Sequence, residues 1–154
     1  MKNICCIVNP VSGLKKSLKV YYEAKNLFEK SDFNTSLFVS EYPNHIKDYV
    51  SKIEKNRFDR IIVFGGDGSI NEVVNGLNDS NNLQSFKLGV IPTGSGNSVA
   101  HDTGLLDVKD AISKSLGDNI IKMDLNRVDF DSVSRLSVSA VSYTHLTLPT
   151  KEGG

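Results

Sequence analysis

The chain has 154 residues, 39% of them hydrophobic and 23% charged, which is enough for a domain with its own core and too apolar for a disordered segment. Lysine plus arginine balances aspartate plus glutamate at 18 each, which excludes a non-specific nucleic-acid binder that relies on excess positive charge. The two cysteines, Cys5 and Cys6, are adjacent, so neither a disulfide framework nor a cysteine metal site is expected, and the chain reads as a reduced, cytoplasmic protein.

Residues 3–8 carry the apolar run Ile4-Cys5-Cys6-Ile7-Val8, a predicted buried strand. Because this strand begins almost at once, no signal peptide is expected. No apolar run reaches the length of a bilayer span, so any membrane contact should be peripheral, at the inner face. The strand ends at Asn9-Pro10-Val11-Ser12-Gly13, a turn by composition. Lys15 and Lys16 then open a helix whose apolar stripe is Leu18, Tyr21, Tyr22, Ala24 (off-centre), Leu27 and Phe28. Taken by themselves these lysines are an ordinary solvated helix face. Residues 35–39 form a second predicted strand, closed by Ser40-Glu41. Asn44 is placed to cap the next helix, with Ile46, Tyr49, Val50 and Ile53 at helical spacing.

The centre of the chain is residues 60–76. A short apolar run at 60–64 meets Gly65-Gly66-Asp67-Gly68-Ser69, and a helix follows with Ile70, Val73, Val74 and Leu77 on one face. Asn71, Glu72 and Asn75 form its polar face. Ser69 and Glu72 match a capping box, and the glycines allow both special backbone angles and close ligand approach. This layout sets backbone N–H groups and a positive helix end beside one carboxylate, Asp67. It suits phosphate binding joined to proton or metal chemistry, although a glycine turn of this kind is equally a common structural joint.

Residues 87–91 are a fourth strand, running into Pro92-Thr93-Gly94-Ser95-Gly96-Asn97 and a short helix from Ser98. In a parallel sheet such turns lie at the carboxyl ends of strands, where ligands bind. Three strand ends carrying Gly-rich or Asn-rich turns are more informative than any one of them. Asp107 is placed to cap a helix through Leu116, stopped by Gly117. Beyond residue 119 helices no longer alternate with strands. A boundary is therefore expected between an α/β domain at 1–126 and the start of a β-rich domain at 127–140, with 137–140 strand-like. Residues 141–154 resemble the translated reading frame of a sequencing-library adapter and are expected to be a non-native tail, so Tyr143 and His145 are set aside.

Asn9-Pro10 with Ser12-Gly13, then Gly65-Gly66-Asp67-Gly68-Ser69 with Asn71-Glu72 and Asn75-Gly76, then Gly94-Ser95-Gly96-Asn97 with Ala100, resemble the diacylglycerol-kinase catalytic domain in order and spacing. That family includes bacterial lipid kinases, sphingosine kinases and ceramide kinases. The resemblance covers roughly residues 3–130. It implies a three-layer α/β fold with a mostly parallel sheet, related to phosphofructokinases and NAD kinases, truncated before a β-rich lipid-binding domain. It implies an ATP-dependent kinase acting on a lipid hydroxyl such as that of diacylglycerol or a sphingoid base, with the fragment itself inactive. Carried over by position, Asn9, Lys15, Ser40, Gly66, Asp67, Gly68, Ser69, Gly94 and Ser95 would border ATP. Asp67 would be the catalytic base, Mg²⁺ would accompany the nucleotide, and no dedicated protein metal site is expected. Ser40 stands where the family often has threonine, and Ser98-Val99 where its bacterial members more often carry acidic and aromatic residues. An NAD kinase-like enzyme and a non-catalytic nucleotide-binding module are the alternatives. The first shares the Gly-Gly-Asp-Gly turn but not the opening Asn-Pro turn.

Overall fold

The computed structural model describes residues 2–11, 16–94, 96–104, 106–118, 125–130 and 133–137. Four strands, β1 (Lys2–Val8), β2 (Phe33–Val39), β3 (Arg60–Gly65) and β4 (Lys87–Pro92), form one sheet in the order β2-β1-β3-β4. Every pairing in it is parallel: Val8 lies opposite Val39 on one side and Phe64 on the other, and Phe64 lies opposite Ile91. All four strands sit where the apolar runs place them, extended by one or two residues at an end.

Helices cover both faces. α1 (Ser17–Lys30) and α5 (Val108–Ser115) pack on one side; α2 (His45–Ser51), α3 (Asp67–Asp79) and α4 (Ser98–Thr103) pack on the other. Strand side chains alternate between the two layers, as a pleated strand requires. Cys5, Ile7, Ile61 and Val63 join the core under α2 and α3, whereas Ile4, Cys6, Val8, Ile62 and Phe64 join the core under α1 and α5. Adjacent thiols therefore point into opposite layers. Both are buried and free, which explains why two neighbouring cysteines form no bridge.

Helix ends are where local rules fail. The expected capping box does not form: α3 starts at Asp67 with Gly66 as its N-cap and no capping side chain, and Ser69 is buried within the first turn. Glu72 instead accepts a hydrogen bond from the Lys47 N–H on α2 at 3.4 Å. Asn44 does precede α2, but in the left-handed region at φ 68° and without a side-chain cap. Asp107 precedes α5, also without one. At the far end of the sheet, the buried Arg60 guanidinium donates to the carbonyls of Ser115 and Gly117 at 2.7 and 3.1 Å, which ties the negative C-terminal end of α5 to β3.

After α5 the chain builds a separate antiparallel pair, β5 (Asn126–Phe130) and β6 (Val133–Ser137), with Arg127 opposite Leu136. The second strand is thus 133–137, with residues 138–140 and the tail at 141–154 outside the described residues. Leu136 is buried in the core that includes Ile70 and Val73 of α3, so this hairpin packs on α3. Among the described residues no helix is long and apolar enough to cross a membrane.

Candidate functional site

The strand order decides where a ligand can enter. The chain leaves β1 for β2 at one edge, then crosses back past β1 to β3 and β4. The connections diverge between β1 and β3, and a crevice opens beyond their carboxyl ends. Asn9, Ser40, Gly66 and Gly94 all follow or end strands on that same edge. Backbone bonds knit the edge together: Asn9 N–H donates to Phe64 O at 3.4 Å, Ser40 N–H to Val8 O at 3.0 Å, and Thr93 N–H to Gly65 O at 3.4 Å. The Asn9 side chain closes its own turn by accepting from Val11 N–H at 3.2 Å.

Two glycine turns meet over this edge. Asp67 N–H donates to Gly96 O at 2.9 Å, and the Asp67 carboxylate accepts from Val99 N–H at 3.3 Å. A Cβ on Gly66 would lie 2.6 Å from Gly96 O and 3.1 Å from Gly94 Cα. Gly66 has φ −104°, within reach of any residue, so what forbids a side chain there is space and not backbone angle. That corrects the expectation that special angles explain this glycine. Gly68 is different: a Cβ there would meet nothing within 4 Å. The first turn of α3 is thus open at Gly68, whereas Ser69 beside it is buried.

Asp67 N–H is used by Gly96, and Ile70 N–H closes the first helical bond onto Gly66 O at 3.2 Å. Between them lie the N–H groups of Gly68 and Ser69, which belong to the helix end and have no intrahelical acceptor. Gly66, the N-cap, has no side chain to cap them. A partly buried carboxylate therefore stands beside N–H donors that favour an anion.

The structure brings Asn9, Ser40, Gly66, Asp67, Gly68, Ser69 and Gly94 to one edge. Lys15 and Ser95 lie outside the described residues. Two supports lie outside the nine residues expected to border ATP, Asn97 although it belongs to the second glycine motif. The Asn97 carboxamide braces its own turn, donating to Gly94 O at 2.7 Å and accepting from Gly94 N–H at 3.2 Å. The buried Ser17 and Thr93 hydroxyls hydrogen-bond at 2.5 Å, locking the start of α1 to the end of β4. Asn97 had a signal, since asparagine closing a glycine turn commonly bonds backbone. Ser17 had none. Among the described residues no group of three or more His, Cys, Asp or Glu side chains converges as a metal site.

The fold is thus a parallel α/β sheet whose glycine turns converge at its switch point, where ligands bind in open sheets of this kind. The sequence profile of the diacylglycerol kinase catalytic domain matches residues 3–128, and the chain belongs to that family. It is 33% identical over 109 residues to sphingosine kinase B of Dictyostelium discoideum, covering 69% of this chain and 14% of the relative. It is 32% identical over 124 residues to a diacylglycerol kinase of Staphylococcus epidermidis, covering 80% and 39%. With human ceramide kinase it shares 29% over 161 residues, covering 92% and 30%. The fold matches a crystal structure of a diacylglycerol kinase from Bacillus anthracis at TM-score 0.64 and 24% identity, over 80% of this chain and 46% of that one. The chain thus spans less than half the length of each of these relatives.

Proposed function

We propose that the protein is an ATP-dependent lipid kinase, or its nucleotide-binding portion, transferring the γ-phosphate to a lipid hydroxyl such as that of diacylglycerol or a sphingoid base. The observation that carries this is the Asp67 carboxylate, fixed between two glycine turns at the sheet's switch point and followed by a helix first turn that is open at Gly68. Phosphoryl transfer asks mostly for positioning and charge neutralisation. The Gly68 and Ser69 N–H groups would receive phosphate oxygens, with Asn9, Lys15, Ser40, Gly94 and Ser95 bordering the nucleotide. Asp67 would accept the acceptor hydroxyl's proton as that oxygen attacks.

A carboxylate beside a phosphate site is repulsive by itself. That fits Mg²⁺, which commonly binds one or two carboxylates together with substrate phosphates and needs no all-protein cage. As the alternative to its base role, Asp67 would help hold that ion, which would neutralise phosphate charge. Residues 1–126 serve as the nucleotide domain in this reading. The β5–β6 hairpin begins the β-rich acceptor domain at 127–140, and the protein works in the cytoplasm with peripheral contact at the membrane where its substrate resides. The relatives' names support the substrate class.

The test is transfer of labelled γ-phosphate by the complete protein to a panel of lipids and to NAD, beside Asp67→Asn. Label on a lipid, falling on the order of 10²-fold or more in the variant, is the expected result for loss of a general base. Label on NAD alone would identify an NAD kinase-like enzyme. ATP binding with no transfer would leave a nucleotide-binding module.

A further inference from the structure

Asn75 lies on the polar face of α3, two turns beyond Asp67, and it does something the glycine turns do not explain. Its carboxamide nitrogen donates to Leu136 O at 2.8 Å, and its carboxamide oxygen accepts from Leu136 N–H at 2.9 Å. The same nitrogen donates to Asn71 O at 2.7 Å, which fixes the rotamer. A carboxamide presents one donor and one acceptor side by side, as a neighbouring strand's peptide groups would. Since Leu136 turns both backbone groups toward Asn75, its pairing with Arg127 belongs to the non-hydrogen-bonded type of an antiparallel ladder. Asn75 therefore substitutes for a third strand at the edge of β6.

We propose that Asn75 is a positioning residue that clamps the β5–β6 hairpin to α3 and so sets the distance between Asp67 and whatever the chain builds beyond β6. At about 1.5 Å rise per residue, the eight positions from Asp67 to Asn75 span about 12 Å of one rigid helix. The buried Leu136 side chain plugs the α3 core while its backbone is held by Asn75, so both contacts act at one residue. The consequence for catalysis rests on the lipid-kinase reading; the clamp itself does not.

Two measurements separate them. In the 154-residue chain, hydrogen exchange at the Leu136 amide should accelerate at least tenfold in Asn75→Ala while amides of β1 and β3 keep their protection. Asn75→Asp, which keeps an acceptor for Leu136 N–H but sets an oxygen against Leu136 O and Asn71 O, should show the same local loss without a change of size. A Leu136 amide that exchanges freely in the unaltered chain, or is unaffected by both substitutions, overturns the clamp. In the complete protein, both variants should lower kcat for transfer to the acceptor at least tenfold with KM for ATP within twofold. Unchanged kcat, or kcat and ATP affinity falling together, overturns the positioning role. An unaltered protein that phosphorylates no acceptor sinks the kinase reading and the positioning role with it, and leaves the clamp to stand or fall on exchange.

Discussion

At the scale of single residues, three neighbours at the start of α3 should answer substitution in three different ways. Gly66→Ala places a Cβ 2.6 Å from a backbone oxygen and 3.1 Å from a backbone carbon of the facing turn. Neither atom is the end of a flexible side chain, so the turns must part. A cost of about 1–3 kcal/mol, read as a lower urea midpoint, should accompany loss of ATP binding. Gly68→Ala meets nothing and exchanges glycine for a better helix former inside α3. Its stability should hold or rise by up to about 1 kcal/mol, while ATP affinity falls because the methyl group intrudes where phosphate would approach. Equal affinity in Gly68→Ala and the unaltered protein would move the nucleotide away from this turn. Asp67→Asn keeps an oxygen for the Val99 N–H and forfeits the helix-end charge, worth roughly 0.3–1 kcal/mol. Its stability should change little against a large loss of phosphate transfer, and a collapse in melting temperature would make Asp67 a structural residue.

At the scale of elements, α2 and α3 show packing overruling propensity. Gly76 lies inside α3, where alanine is intrinsically better by about 1 kcal/mol. Yet a Cβ there would lie 2.7 Å from Lys47 O and 3.0 Å from Val50 Cβ on α2. Gly76→Ala should therefore destabilise by roughly 1–3 kcal/mol net, seen as a shifted unfolding midpoint with an unchanged slope; stabilisation would mean α2 can slide. The same contest explains what the sequence made legible. Strands β1 and β3 were readable because short apolar runs that end at glycine-bearing turns have few other uses, and the converging turns at Gly66 and Gly94 follow from parallel topology. The capping box at Ser69 and Glu72 misled because it is a rule about neighbours in sequence. Glu72 is drawn to Lys47, 25 residues away, and α3 begins at Asp67, three residues before the start at Ile70 that Ser69 as N-cap would require. Asn75 was legible only as part of the polar face of α3 for the same reason, since its partner Leu136 is 61 residues distant and nothing local to α3 announces it.

At the scale of the whole molecule, the adjacent thiols couple both layers of the core to pH. Burial raises the Cys5 thiol from 9.0 to about 11, with the Tyr49 hydroxyl at 3.8 Å and Arg57 opposing the shift. Burial also raises Cys6, in the other layer, and the neighbouring Cys5 adds to it. Tyr49 is pushed from 10.0 to about 12, again chiefly by burial and then by Cys5. Each group is neutral when protonated and has a higher value in the folded chain. Between pH 9.0 and about 11 the unfolded chain has released the Cys5 proton that the folded chain still holds. Folded protein then binds more protons than unfolded, and stability falls as pH rises. It should be level in this respect below pH 9.0 and decline through pH 11, measured as the urea midpoint against pH. Cys6→Val, close in volume and free of a titrating group, should flatten the decline. The thiols also report on cooperativity, because burial keeps each protonated and unreactive until its layer opens. If the sheet holds both layers in one cooperative unit, alkylation of Cys5 and of Cys6 should rise at the same urea concentration. Cys6 labelling before Cys5 would show that α1 and α5 leave the sheet while α2 and α3, with Asp67 at the head of α3, remain in place.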